Sequence, residues 1–249
     1  MNHLFRYVAF AGLAMAIFFI SSCSEDDNPL FTAGADYADG AIYDKSDGDS
    51  DGSTGSMDYN GYTYKVVRIG SQWWMAENLR TIRYNDGSVI PNVTDEDGWS
   101  DLTTGAWCNY NNDPGTGAEY GKIYNWFAVN TGKLAPPGWR VPKNEEWESL
   151  SIYLGGELAA GGPMKEEGTA HWNSPNSGAT NESGFTALGG GGRLDFGPFY
   201  AMGDNAFFWA SSGNGDSNAW YRTITSSGTR LVRDFDDRTA GYSVRCVQN

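Results

Sequence analysis

All ten tryptophans of this 249-residue chain fall between Trp73 and Trp220, so whatever packs its interior must be built across that stretch. Indoles are large, and they dominate the energetics of any core that holds them. Around them run 33 glycines and frequent asparagines, and aromatics make up 14% of the chain. This composition fits an aromatic-rich extracellular domain better than an aliphatic-cored cytosolic enzyme. Residues 24–56 carry Asp, Gly and Ser with little periodic apolar content, and 23–56 reads as an acidic disordered tether. The folded domain is expected over 57–249.

The first 22 residues read as a signal peptide. Arg6 precedes a fourteen-residue apolar run over 7–20, short of the roughly 20 residues that a spanning helix needs. The ending Ile20-Ser21-Ser22-Cys23 resembles a bacterial lipobox. That resemblance implies cleavage before Cys23, a diacylglycerol on its sulfur, and an acyl group such as palmitate on the new amino terminus. Two or more buried acyl chains, at about 0.8 kcal/mol per methylene, hold a protein on a membrane. The alternative is an ordinary secretory signal with an incidental cysteine. Ser24-Glu25-Asp26-Asp27 resembles the surface-export signal of Bacteroidetes-type lipoproteins, which implies the outer face of the outer membrane. Its plainer reading is the start of a solvated tether.

The formal net charge is −14, with ten acids and one lysine between 24 and 58. Nucleic acids and anionic headgroups need basic patches, so neither is an expected partner of this head. Neutral glycans, proteins or cations suit it. Apart from His3, His171 is the sole imidazole, which leaves little from which to build a His-rich metal site or a Ser-His-Asp apparatus. Cys108 and Cys246 remain after Cys23. Paired in an oxidising compartment, they would close a loop of over a hundred residues and add about 4–5 kcal/mol in the chain-entropy model. Sequence does not show that they meet. Asp47-Gly48-Asp49-Ser50-Asp51-Gly52 matches the opening of a calcium loop with Asp58 at its twelfth position, but no amphipathic helix flanks it, and an acidic spacer gives such matches freely.

Alternation predicts strands over 62–69 and 72–77 with a Gly70-Ser71 turn between them. Residues 109–117 read as a loop and 121–130 as a short buried helix. A clearer helix is expected over 143–154, with Trp147, Leu150 and Leu154 on one face, Glu145, Glu146 and Glu148 near its N-terminal end, and Gly155-Gly156 as its stop. Residues 155–184 read as loop and 189–192 as a tight bend. Strands are expected over 207–211, 220–225, 229–235 and 242–247. The helices come early and the strands outnumber them, which is an α+β class.

Several blocks are recognisable in order: Asn109-Tyr110-Asn111-Asn112-Asp113, Tyr120-Gly121-Lys122-Ile123-Tyr124-Asn125-Trp126, Pro137-Gly138-Trp139-Arg140-Val141-Pro142, His171-Trp172-Asn173-Ser174-Pro175-Asn176 and Gly241-Tyr242-Ser243-Val244-Arg245-Cys246. Over about 59–249 the series resembles the Fibrobacter succinogenes major paralogous domain, a family of secreted and lipid-anchored proteins. The third block, followed by Glu146-Trp147, and the last block also resemble formylglycine-generating enzymes and related folds. The resemblance implies a C-type-lectin-like domain: two short helices against small antiparallel sheets, with a long loop region used for binding. Three departures limit it. Ala135 stands where many members carry a cysteine, so the usual partner of Cys246 is absent, and the enzymes' reactive cysteine pair is reduced to Cys246 alone. The Glu-Pro-Asn, Gln-Pro-Asp and Trp-Asn-Asp triplets of calcium-dependent lectins do not occur.

A neutral-glycan site needs aromatic faces for C–H surfaces and amides or carboxylates for hydroxyls. The 171–181 loop offers Trp172, Asn173, Asn176 and Asn181 as ligand-binding candidates. The alternative is that Trp172 plugs the core while the asparagines hold turns. Asp234, Asp236 and Asp237 could gather a calcium, or simply solvate a hairpin end. Glu145 and Glu146 point about 100° apart on a helix and make no acid/base pair. The expectation is a non-catalytic surface lipoprotein, without metal or cofactor, that recognises an extracellular polysaccharide or glycoprotein. The alternative is a scaffolding lipoprotein of the outer membrane that docks another surface protein.

Overall fold

The computed structural model describes residues 39–42 and 53–249. The signal peptide, the lipidation of Cys23, the export signal and the calcium-like run at 47–52 lie outside the described residues. In chain order the elements are β1 (Thr54–Tyr59), β2 (Tyr62–Ile69), β3 (Gln72–Met75), α1 (Glu96–Ser100), β4 (Trp107–Cys108), α2 (Pro114–Glu119), β5 (Ile123–Asn125), α3 (Trp126–Asn130), β6 (Trp139–Arg140), α4 (Asn144–Tyr153), α5 (Gly161–Met164), β7 (Gly190–Arg193), β8 (Phe199–Met202), β9 (Asn205–Asn214), β10 (Asn218–Thr225), β11 (Val232–Asp237), β12 (Gly241–Tyr242) and β13 (Val247–Gln248). A five-stranded sheet runs β1-β2-β3-β13-β6; an eight-stranded one runs β11-β10-β9-β7-β12-β5-β4 with β8 on β7.

This is an α+β fold that is mostly β. It is larger in sheet than the resemblance implied, with five short α-helices among the described residues instead of two and one parallel pair, β7 with β9. Strands β2 and β9 each feed two apolar clusters, one from either face. On β2, Tyr64 and Val66 enter one apolar cluster while Val67 and Ile69 enter another. On β9, Phe207 and Trp209 join the first, and Ala206, Phe208 and Ala210 the second. Helix α4 lays Trp147 and Leu150 into the second cluster, where the Trp147 ring lies 5.1 Å from that of Trp74 and 5.7 Å from that of Phe208. Glu146 Oε2 accepts from the Lys143 N–H at 2.8 Å, satisfying one of the amides that open the helix.

A loop-rich interior leaves carbonyls with no ladder partner, and buried carbonyls must be satisfied. Here cations do it. Arg193 is fully buried and donates to the carbonyls of Gly197, Val93, Thr94 and Asp95, with its guanidinium 4.4 Å from the Trp99 ring centre. Arg245 donates to those of Met75, Phe185 and Thr186 and to Asn78 Oδ1. Lys165 donates to those of Ser177, Thr225 and Gly228 at 2.8, 3.1 and 2.9 Å.

The structure corrects several expectations. The tether is not free throughout: Gly40 N–H donates to Asp58 O at 2.7 Å, Trp139 Nε1 donates to Gly40 O at 2.7 Å, and Ile42 is buried. Gly40 has φ +85, and a Cβ there would lie 2.1 Å from Pro137 O. Strand β1 also begins at Thr54, inside the expected tether. Residues 121–130 are not one helix: β5 ends at Asn125, whose Oδ1 accepts from Ala128 N–H and caps α3. The expected bend at 189–192 is strand β7. Cys108 and Cys246 do not pair; both thiols are free and buried, each in a different apolar cluster. Burial raises the Cys108 pKa to about 11 and that of Cys246 further still.

Candidate functional site

The four residues of the 171–181 loop do not converge on a ligand. Trp172 is 2% exposed, donates Nε1 to Ala187 O at 2.9 Å, and carries the Lys165 ammonium 5.5 Å from its ring centre. Its faces are spent inside the protein, which corrects the expectation that they meet a sugar. Asn176, at φ +44, donates Nδ2 to the carbonyls of Glu166 and Gly168. Asn173 donates to Asp204 Oδ1 at 2.9 Å. Asn176 holds a turn, as short amides in the left-handed region do, and the Asn173 amide is spent on Asp204. Asn181, at φ +49, accepts from Thr186 N–H, and it alone of the four lines one of the open cavities.

That cavity, of about 550 Å3, lies between β2, the end of α4 and the 181–184 turn, and is lined by Arg68, Tyr153, Asn181 and Glu182 among others. It shares Val67 and Gly184 with a second cavity of about 410 Å3, whose wall includes Ser56, Tyr64 and Val66. The second shares Lys65, Ala76 and Thr186 with a third of about 290 Å3, lined by Glu77, Arg80, Glu119, Tyr120, Glu166 and His171. The shared lining residues place the three side by side across β2, as a segmented groove. Between the first two it narrows where Gly184, at φ +68, packs on Val67: a Cβ there would lie 2.9 Å from Val67 Cγ2. In the wall, Ser56 Oγ is buried with no hydrogen-bond partner, and such a group is costly to leave dry.

The two ends differ in chemistry. At the first, Tyr153 is 65% exposed and shares the lining with Asn181 and Glu182. At the other, His171 is clamped: Nδ1 lies 2.7 Å from Glu166 Oε2 and Nε2 lies 2.9 Å from Glu119 Oε1. The Tyr120 ring meets the imidazole edge-on at 5.2 Å. Burial opposes the imidazolium, but hydrogen bonds and charge from Glu166 and Glu119 outweigh it and raise the pKa above 6.5. Glu77 accepts from Tyr62 Oη at 2.8 Å and from Lys65 N–H at 2.7 Å.

Elsewhere the weighed residues serve the fold. Trp139, Trp147 and Trp209 are buried. Asp237 accepts from Thr239, Asp236 from Tyr242 Oη, and no cluster of three metal-type ligands occurs among the described residues. Sequence reasoning missed Tyr153, Arg68, Glu182 and Ser56. Tyr153 had a readable signal: with Ile152 it falls off the Trp147–Leu150–Leu154 stripe of α4, and both are exposed. Ser56 had none, since its importance rests on a strand taken for tether.

The model of the family described as Fibrobacter succinogenes major domain matches residues 67–248. No curated protein and no solved structure matches the chain.

Proposed function

This chain belongs to the Fibrobacter succinogenes major domain family, and from that premise we propose that it is a non-catalytic, lipid-anchored outer-membrane protein whose groove across β2 recognises an extracellular neutral polysaccharide or the glycan of a glycoprotein. One observation carries the reading: three adjoining cavities run from an exposed tyrosine to a carboxylate–imidazole cluster, past a buried hydroxyl without a partner. A row of open cavities suits a chain; a small ligand would want closure. The Tyr153 ring offers a flat apolar face, and Asn181, Glu182 and Glu77 offer acceptors and donors for hydroxyls. The head is read as C-type-lectin-like on the strength of the passage from Trp139 through α4 and of the closing Gly241–Tyr242 segment. The anchor rests on Ile20-Ser21-Ser22-Cys23 and the acids after it.

A glycan array probed with the purified full-length chain and with its Tyr153→Ala variant tests the groove. The reading expects neutral polysaccharides among the binders and an affinity loss of about 1 kcal/mol in the variant, the worth of one aromatic face. Equal binding by both proteins overturns it. An empty array together with capture of a surface protein turns the assignment to scaffolding. Mass spectrometry of the cell-derived protein tests the anchor, which fails if Cys23 carries no lipid.

A further inference from the structure

On the other side of α4 from the groove lies a separate cavity of about 320 Å3, lined by Glu148, Ser151, Ile152, Glu157, Arg222, Leu231 and Arg233. Two of its cations stand in an unfavourable arrangement. Arg222 and Arg233 are direct partners in the β10–β11 register, and like charges directly opposite each other destabilise a ladder. Neither makes an ion pair among the described residues. Arg222 is 3% exposed and fixed by Asn144, donating Nη1 to its Oδ1 at 3.0 Å and Nη2 to its carbonyl at 3.2 Å. Arg233 is exposed and held over the Trp220 ring at 5.0 Å. Burial first, then the charge of Arg233, pull the Arg222 pKa down to about 10 against the opposing charges of Glu148, Glu157 and Glu145, which leaves it charged at neutral pH. In a chain of net charge −14, a preorganised pair of facing guanidiniums is a place for an anion.

The neighbours narrow the class. Glu157 is engaged by Arg230 at 2.6 Å, while Glu148 adds a second carboxylate to the wall. A dianion such as a phosphate monoester would be repelled by both. A single negative charge is balanced by the two arginines, and the exposed Ile152 side chain gives an apolar rim for the body that carries it. We propose that this cavity is a second binding site, for a sugar unit bearing one carboxylate or sulfate ester, with the anionic group held between Arg222 and Arg233. It lies outside the neutral-glycan groove and does not depend on it.

Calorimetric titration of the purified full-length chain with hexagalacturonate, its fully methyl-esterified form and a sulfated, uronate-free hexasaccharide tests the site. Wild-type protein is expected to bind at least one of the two charged hexamers and to bind the methyl ester at least about tenfold more weakly, because charge-assisted bonds are lost. Binding of the carboxylated hexamer alone makes the ligand a uronate; binding of the sulfated one alone makes it a sulfate ester. Arg233→Gln is expected to weaken binding about tenfold and Arg233→Glu to abolish it, while Tyr153→Ala leaves it unchanged. Arg233 is exposed and its charge opposes that of Arg222, so both variants should melt at or above the wild-type temperature. No binding of either charged hexamer, equal binding of the methyl ester, or undiminished binding by Arg233→Glu overturns the proposal.

Discussion

The Lys165 ammonium sits 5.5 Å from the centre of the Trp172 ring and donates to three backbone carbonyls. The tryptophan that looks most like a sugar platform is instead the wall of a buried cation site. Around it, the 162–187 segment is fastened to the β10–β11 connection by Lys165 and by Ser177 N–H donating to Ser226 O at 2.7 Å.

Trp172→Ala should therefore act on stability. Removing a buried indole costs about 3–5 kcal/mol, and here it also strips the ammonium of its aromatic neighbour and Ala187 O of one of its two donors. Urea unfolding should show that loss, while glycan binding by the folded fraction stays at the wild-type level. A variant of normal stability that has lost binding would restore Trp172 to the ligand site.

Lys165→Met keeps the volume and removes the charge. Three carbonyls then face a thioether that cannot donate to them, and buried acceptors left without that donor cost about 1–3 kcal/mol. The expected signature is a large fall in the urea midpoint, with faster hydrogen exchange at Ser177 and Gly228 as the connection loosens. A loss under about 1 kcal/mol would show that water satisfies those carbonyls equally well.

How far the residues could be read depends on whether their structural role is local. Strand β2 matches its expected span because alternation alone encodes it, and α4 matches to within a residue at each end because its stripe and the glycines after it are local too. Strand β7 was illegible. Its Gly-Gly-Gly-Arg sequence has no strand propensity, and it is a strand because rings lie on it: a Cβ at Gly191 would be 2.7 Å from Tyr110 Cε2, and one at Gly192 would be 2.9 Å from Tyr242 Cδ1. The closing strand was half legible. It breaks between β12 and β13, where Arg245 turns inward to the carbonyls of Met75, Phe185 and Thr186, partners 59 to 170 residues away. The groove failed to show for the same reason, since β2, α4 and the 181–184 turn meet only in the fold.

The two thiols should be inert in the native protein. Cys108 and Cys246 are free, buried and held protonated by that burial, and reaction requires an accessible thiolate. A thiol reagent at pH 8 should label neither until guanidinium is added, when both react. Rapid native labelling at Cys246, or failure to label in denaturant because of a Cys108–Cys246 disulfide, would contradict the packing.

His171 gives the fold a pH dependence of definite sign. Its folded pKa lies above the ordinary 6.5, because Glu166 and Glu119 favour the imidazolium more than burial disfavours it. Below the unfolded pKa both states are protonated, so the two charge-assisted bonds contribute fully there; the contribution is lost as pH rises through the folded pKa. A neutral imidazole has one N–H and can serve only one of the two carboxylates. Wild type should exceed His171→Gln by about 1–2 kcal/mol near pH 6, and the gap should shrink toward pH 9 in parallel urea titrations. The imidazole resonances should titrate above the usual range in the same window. Because His171 closes one end of the groove, with Glu119 the more exposed of its two partners, a neutral glycan should find that end more negative at pH 9 than at pH 6. A stability gap that stays flat, or widens with pH, would mean that the clamp on His171 is not formed in solution.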